Sequence, residues 1–135
     1  MCPDPNSDSG KPTILIVDDN PSFIKRLLTL LADVKTIGQI DIAGEYAEAA
    51  RIFSDKKPDI VLLDIAMPGE NGMKLLKQIK ETDSHCKVII LSNRTGDSYR
   101  DHCSRLGADY FLDKSYEFAK IPMILSLIQS QTGPI

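Results

Sequence analysis

The 135-residue sequence contains no tryptophan, and aromatic residues make up only 6% of it. So small an aromatic content argues against a surface on which nucleic-acid bases stack. A basic excess is also lacking, since 16 lysines and arginines stand against 19 acidic residues, which gives a net charge of −3. Binding along a phosphate backbone needs a basic surface. The composition therefore argues against nucleic acid as the main partner.

Cysteine is scarce, and long apolar runs are absent. Cys2, Cys86 and Cys103 are odd in number and form no CxxC motif, a pattern that predicts reduced thiols in a cytoplasmic protein. No apolar stretch approaches the ~20 residues of a membrane helix, and the polar residues 1–10 do not resemble a secretory signal. We therefore expect a cytoplasmic protein with no membrane segment.

The chain is long enough for one domain whose core needs no disulfide or metal. Residues 1–12 contain three prolines, one glycine and two serines, which predicts a flexible leader. We expect the domain to span residues 13–130 and residues 131–135 to form a C-terminal tail.

Short unbroken apolar runs alternate along the chain with segments of helical periodicity. The apolar runs are residues 14–17, 60–63, 88–91 and 110–112. Such runs are typical of strands covered on both faces, as in a parallel sheet, whereas the alternation at residues 39–43 predicts an edge strand. The amphipathic segments include residues 23–31, 46–53, 73–79, 99–106 and 122–128. Asn20 and Pro21 form a start signal for the first helix. Five strand–helix units predict an α/β fold with a parallel sheet.

Polar residues stand where the predicted strands end. They are Asp18, Asp19, Asp64, Ser92, Asn93, Asp113 and Lys114. Taken singly, such an aspartate is a helix cap or turn residue. The carboxyl ends of parallel strands, however, meet at one edge of the sheet, and converging carboxylates repel one another unless a cation compensates. Mg²⁺ prefers such hard oxygen ligands. The pattern therefore predicts a magnesium site beside a lysine, where a phosphoryl group on Asp64 would be neutralised.

Four motif blocks follow one another within residues 13 to about 130. They are IVDDN at 16–20, LDIAMPGENG at 63–72, LS at 91–92 and GADYFLDK at 107–114. In residues and in order, these blocks resemble the receiver domain of bacterial two-component response regulators. The resemblance implies a flavodoxin-like, doubly wound fold with a five-stranded parallel sheet and five helices in three layers. It also implies a phosphoacceptor domain served by a histidine kinase or histidine phosphotransfer protein, and no enzyme.

The resemblance assigns a role to each residue of the acidic site. Asp64 would be the phosphoacceptor, a carboxylate nucleophile that forms an aspartyl phosphate. Mg²⁺ would be bound by Asp19, Asp64 and the main-chain carbonyl of Ala66, with Asp18 acting through a bound water. Lys114 would pair with the carboxylate and later with a phosphoryl oxygen.

The resemblance also implies a switch and a partner surface. Ser92 would hydrogen-bond the phosphoryl group, and Phe111 lies at the aromatic switch position. The face formed by the fourth helix, fifth strand and fifth helix would carry homodimer or output contacts. Six of the eight residues at 121–128 are apolar, more than one buried stripe needs. We expect that stripe to contain Ile124, Leu127 and Ile128, together with Leu125 or Ile121. The alternative is a last helix that is simply well buried.

The sequence departs from the family pattern at three positions. Ser115 follows Lys114 where the family usually has a cis proline, so that the loop either contains a cis bond costing ~3–4 kcal/mol or is rebuilt. Asn93 is larger than the residue usual there, which narrows access for a phosphoryl group. Phe111 has no hydroxyl, and its coupling to the site would therefore depend on packing.

Two other functions are compatible with parts of the pattern. A phosphohydrolase with an aspartate nucleophile needs a second acid two residues later, where this chain has Ala66. An interaction module without phosphotransfer would not need the complete set of acids with Ser92 and Lys114. Because the chain ends at Ile135, we expect no output domain within it, and it is either a stand-alone regulator or a receiver from a longer protein.

Overall fold

The computed structural model describes residues 11–67, 72–93 and 97–132. Most of the predicted leader, the turn residues Pro68 and Gly69 and the last three residues of the predicted tail lie outside these ranges. The strands are β1 (Ile14–Val17), β2 (Ile40–Ala43), β3 (Ile60–Asp64), β4 (Lys87–Ser92) and β5 (Tyr110–Asp113). The helices are α1 (Pro21–Leu31), α2 (Tyr46–Lys56), α3 (Gly72–Thr82), α4 (Asp97–Arg105) and α5 (Ile121–Thr132), with a 3₁₀ turn at Phe118–Lys120.

All strand pairs of the sheet are parallel, in the order β2-β1-β3-β4-β5. The strand β2 lies on one side of β1, and β3, β4 and β5 follow on the other side. As a result, α1 and α5 cover one face of the sheet, and α2, α3 and α4 cover the other. The predicted doubly wound sheet with five helices in three layers is confirmed. A crevice at the carboxyl ends of β1 and β3 is the expected ligand position in such a sheet.

The central strands are buried on both faces because their side chains point alternately into two cores. Leu15 and Val17 of β1 enter the core shared with α2 and α3, while Ile14 and Ile16 enter the core shared with α1 and α5. The second strand, β2, lies at the edge as its alternation predicted, and its Ile42 is exposed. Burying a side chain of this size contributes about 1.5–3 kcal/mol, so the two cores hold the strand ends in fixed register.

The first helix begins as the sequence predicted. The side-chain oxygen of Asn20 accepts hydrogen bonds from the backbone N–H groups of Ser22 and Phe23, at 3.0 and 3.1 Å, and Pro21 is the first helical residue. Such a cap contributes about 1 kcal/mol. The cap directs α1 away from the end of β1, which leaves the segment between them at the carboxyl edge of the sheet.

The buried stripe of α5 differs from the prediction at Leu127. The buried side chains are those of Ile121, Ile124, Leu125 and Ile128, whereas Leu127 is 47% exposed and Met123 is 56% exposed. At 3.6 residues per turn the four buried positions centre on one side of the helix, and Leu127 lies ~110° from that centre. The helix also continues to Thr132, two residues beyond the predicted end of the domain.

Cys86 and Cys103 are both buried and form no disulfide. Burial raises the pKa of the Cys86 thiol to about 12, which keeps it protonated as an apolar packing group. Among the helices that the structure describes, none combines the length and the apolar character required to cross a bilayer.

Candidate functional site: an acidic cluster at the carboxyl edge of the sheet

Three aspartates converge where β1 and β3 end. Val17 pairs with Leu63 across the two strands, and Asp18 and Asp64 each follow these paired residues. One carboxylate oxygen each from Asp18, Asp19 and Asp64 lies within 4.8 Å of the others. Asp18 and Asp64 are only 1% and 6% exposed, whereas Asp19 is exposed. The predicted convergence of the three acids is thus present in the structure.

Lys114 joins the two buried carboxylates. Its Nζ lies 2.8 Å from Asp18 Oδ2 and 3.1 Å from Asp64 Oδ2, and 4.5 Å from the centre of the Phe23 ring. Burial by itself would lower the Lys114 pKa, but the two carboxylates outweigh this effect and raise the pKa above its ordinary value. Lys114 is therefore a fixed cation within the cluster.

For the Asp18 carboxyl, the effect of burial on the pKa is larger than that of the neighbouring donors. Burial raises the Asp18 pKa above its ordinary value, and the contacts with Lys114 and with the Asn20 backbone N–H offset this only in part. The Asn20 N–H donates to Asp18 Oδ1 at 2.8 Å. The other oxygen, Oδ2, has the ion pair with Lys114 but accepts no hydrogen bond of good geometry from the part of the chain described.

The cluster fits a hard divalent cation. With the three acids ionised, their charge of −3 exceeds the +1 of Lys114, and like charges this close oppose one another. The donors are carboxylate oxygens, which Mg²⁺ prefers, and one of them is the buried Asp18 Oδ2, whose contact within the described residues is the ion pair with Lys114. The residues present therefore suit the metal that the sequence predicted.

Asp64 is oriented by its own turn and by Lys114. Its Oδ1 accepts a hydrogen bond from the backbone N–H of Ala66 at 2.9 Å, and its Oδ2 accepts one from Lys114 Nζ. Ala66 is exposed directly beside this carboxylate. Its carbonyl as a metal ligand stays a prediction.

Ser92 lies beside the cluster on the neighbouring strand. It is the last residue of β4, fully buried, and one position beyond Leu91, which pairs with Asp64. Its carbonyl accepts a hydrogen bond from the Lys114 backbone N–H at 2.8 Å. The end of β4 therefore holds the lysine in place.

The loop after Lys114 is rebuilt without a cis bond. No cis peptide occurs among the described residues, so the Lys114–Ser115 bond is trans. The Asp113 Oδ1 atom accepts hydrogen bonds from the backbone N–H groups of Ser115 and Tyr116, each at 2.8 Å. The Ser115 hydroxyl also reaches Asn93 Oδ1 at 3.3 Å. A side-chain turn by Asp113 thus shapes the loop at the position where the resemblance implied a proline.

Phe111 is held by an arginine that the sequence analysis did not single out. The guanidinium of Arg100 on α4 lies 4.6 Å from the centre of the Phe111 ring, and its Nη1 donates to the Phe111 carbonyl at 3.1 Å. Phe111 itself is half-buried. The structure thus links α4 to the predicted switch position through one side chain.

Tyr46 is a second residue near the site that sequence reasoning placed only in a helical stripe. Its hydroxyl donates to the backbone carbonyl of Asp64 at 2.7 Å and accepts from the backbone N–H of Met67 at 3.0 Å. The available signal was chemical, since a buried tyrosine hydroxyl requires a hydrogen-bond partner.

Comparison with known proteins gives matches in both sequence and fold. Residues 14–126 match the family model of the response regulator receiver domain. The chain is 30% identical over 118 residues to the chemotaxis protein CheY of Thermotoga maritima, a match that covers 85% of this chain and 95% of that protein. A crystal structure of a CheX-CheY-BeF3-Mg²⁺ complex from Borrelia burgdorferi is similar with a TM-score of 0.78 and 31% identity, over 89% of this chain and 92% of that one.

Longer relatives match over only part of their length. The DNA-binding transcriptional activator EvgA of Escherichia coli K12 is 29% identical over 102 residues, which are 74% of this chain and 48% of the activator. The chain therefore spans about half the length of this curated relative.

Proposed function

Because the chain belongs to the response regulator receiver domain family, a family of signalling domains, we propose that Asp64 accepts a phosphoryl group from a histidine kinase or a histidine phosphotransfer protein. The observation that carries the proposal is the position of Asp64, a buried carboxylate at the end of β3, 3.1 Å from Lys114 and clustered with Asp18 and Asp19. We place this reaction in the cytoplasm.

The proposed step is a direct transfer. A carboxylate oxygen of Asp64 attacks the phosphorus of a phosphohistidine, the new O–P bond forms, and the P–N bond breaks with its electron pair retained by the imidazole nitrogen. The product is an acyl phosphate on Asp64. Lys114 Nζ already contacts Asp64 Oδ2, so its charge lies where the transferred phosphoryl oxygens arrive.

Asp18, Asp19, Asp64 and the Ala66 carbonyl would hold Mg²⁺. When bound, the metal supplies positive charge beside the phosphoryl group. The support is the set of three converging carboxylates, whose combined charge the single ion-pairing lysine, Lys114, does not balance.

We further propose that the phosphoryl state is transmitted through Ser92 and Phe111. Ser92 lies one residue beyond the β4 partner of Asp64, and Phe111 lies on β5, next to β4. A shift of the Ser92 hydroxyl toward the phosphoryl group would alter the packing of Phe111. Because Arg100 of α4 contacts the Phe111 ring, the position of α4 would change as well. The readout would be binding of a second copy or an output protein at the face formed by α4, β5 and α5.

Intact-mass measurement tests the assignment. Incubation with Mg²⁺ and a small acyl phosphate is expected to add one phosphoryl group to the protein, and Asp64→Asn is expected to abolish the addition. Asp55→Asn, at an exposed position of α2, is the matched control and is expected to behave as the wild type. Equal phosphorylation of the Asp64→Asn variant would show that the site is elsewhere.

A further inference from the structure

Tyr46 reaches from the start of α2 into the turn that follows the phosphoacceptor strand. The residue is 4% exposed, and its hydroxyl lies between two backbone groups of that turn. It donates to the carbonyl of Asp64 at 2.7 Å and accepts from the N–H of Met67 at 3.0 Å. One side chain thus joins both ends of the segment formed by residues 64–67.

This segment carries the reactive groups of the site. Within it, the Ala66 N–H donates to Asp64 Oδ1 and fixes the carboxylate orientation. The last bond that ties the segment to the sheet is a long one, from the Ile65 N–H to the Leu91 carbonyl at 3.3 Å. Beyond that bond, the Met67 side chain is buried in the core shared with α2 and α3, and its backbone N–H donates to the Tyr46 hydroxyl.

Gly72 makes room for this arrangement. A Cβ atom at Gly72, the first residue of α3, would lie 2.8 Å from the Tyr46 hydroxyl and 3.0 Å from the Ile65 carbonyl. A Cβ atom 2.8 Å from the hydroxyl oxygen lies inside van der Waals contact, so a residue larger than glycine would displace the hydroxyl or the turn. The close approach of α2, α3 and the turn therefore depends on a tyrosine at 46 and a glycine at 72.

We propose that Tyr46 is a positioning residue, whose hydroxyl holds the Asp64–Met67 turn in the conformation that presents the Asp64 carboxylate and the Ala66 carbonyl to a divalent cation. The inference rests on the proposed function for the identity of the cation. Its physical basis is preorganisation: a turn that is ordered before the ligand arrives does not lose its freedom upon binding. Groups that orient metal ligands typically influence affinity in this way.

The ring and the hydroxyl of Tyr46 have separable roles. The ring fills the core between α2 and the sheet, which is a purely structural contribution. The hydroxyl satisfies two backbone groups. Tyr46→Phe retains the ring and removes the two hydrogen bonds, and it therefore isolates the positioning role.

The test compares Tyr46→Phe with wild type in two measurements. In metal-free protein, backbone hydrogen exchange at Met67 is expected to accelerate relative to core amides such as that of Ile90. By titration calorimetry, the dissociation constant for Mg²⁺ is expected to rise about fivefold, the equivalent of one hydrogen bond of ~1 kcal/mol. Gly72→Ala is expected to raise the constant in the same way, whereas Tyr110→Phe, on the half-buried end strand β5, is expected to leave both quantities unchanged.

The outcomes separate this inference from the proposed function. Unchanged exchange at Met67, or a Mg²⁺ constant equal to that of the wild type, would overturn the role of Tyr46, even if the variant had lost thermal stability. Wild-type protein that binds no Mg²⁺ would instead overturn the proposed function, because the exchange measurement needs no cation.

Discussion

Lys114 keeps its charge in surroundings where burial by itself would favour the neutral amine. Two carboxylates within 3.1 Å of its nitrogen outweigh the burial and raise its pKa. A group whose pKa is higher in the folded state than in the unfolded state contributes stability that is fully present below the unfolded value. This contribution is lost as the pH rises from about 10.5, the ordinary value, through the raised value.

The corresponding prediction concerns the alkaline limb of the stability profile. In metal-free buffer, the free energy of unfolding of the wild type is expected to fall as the pH rises above 10.5, and Lys114→Met is expected to reduce this fall. Urea unfolding at a series of pH values measures it. Lys25→Met, at an exposed position of α1, is the control expected to retain the wild-type dependence. Identical slopes for wild type and Lys114→Met would contradict the link between this ion pair and stability.

At the scale of elements, α4 is held to β5 by few described side chains. Cys103 is buried, and Arg100 contacts both the ring and the carbonyl of Phe111. Among residues 100–105, the part of α4 whose burial the structure describes, Cys103 is the buried one. We therefore expect Arg100 to set how readily α4 and Phe111 change position.

Arg100→Ala is expected to remove the cation–π contact and the hydrogen bond, which together contribute about 1–2 kcal/mol. Amide hydrogen exchange in α4 and β5 should accelerate, while exchange in β1 stays unchanged. Arg105→Ala, an exposed position on the same helix, provides the comparison. Equal exchange in the two variants would rule out Arg100 as a clamp on Phe111.

On the last helix, Met123 and Leu127 lie one turn apart and are both exposed. If phosphorylation promotes self-association through the face of α4, β5 and α5, Met123→Glu should abolish it, because a carboxylate placed in an apolar contact loses its hydration. The measurement is sedimentation with and without beryllium fluoride as phosphoryl mimic. Ser126→Glu, on the same helix but already polar and exposed, controls for the added charge.

Because Met123 is exposed, the Met123→Glu variant is expected to remain folded. A mimic-dependent change in sedimentation that persists in Met123→Glu would contradict the proposed surface. Absence of any change in the wild type would exclude a second copy of this chain as its occupant.

For the whole molecule, the sheet was predictable because the apolar pattern within each short segment indicates a strand. Residues 60–63 form an unbroken apolar run, which is typical of a strand covered on both faces, and the alternation around Asp41 predicts an edge strand. The site followed from the same logic, since parallel strands bring their carboxyl ends together. Asp18 and Asp64 are distant in sequence, yet they were expected to meet and do so.

The remaining features depend on contacts that periodicity does not encode. The hydroxyl of Tyr46 finds its partners 18 and 21 residues away, and a helical stripe shows only that the ring is buried. Leu127 was assigned to the buried face because several apolar stripes fit α5, and only packing against the sheet selects one of them. The rebuilt loop after Lys114 depends on Asp113, whose side chain caps a turn that local propensity alone leaves open.

The central claim is that Asp64 carries the phosphoryl group, and chemical trapping tests it most directly. After incubation with Mg²⁺ and a small acyl phosphate, borohydride reduces an aspartyl phosphate to the alcohol homoserine and releases phosphate. Peptide mass mapping then identifies the modified position. Homoserine in place of aspartate at position 64, absent when Mg²⁺ is withheld, is the predicted result. Homoserine at another aspartate, or none in a protein that has gained a phosphoryl group, would contradict the account.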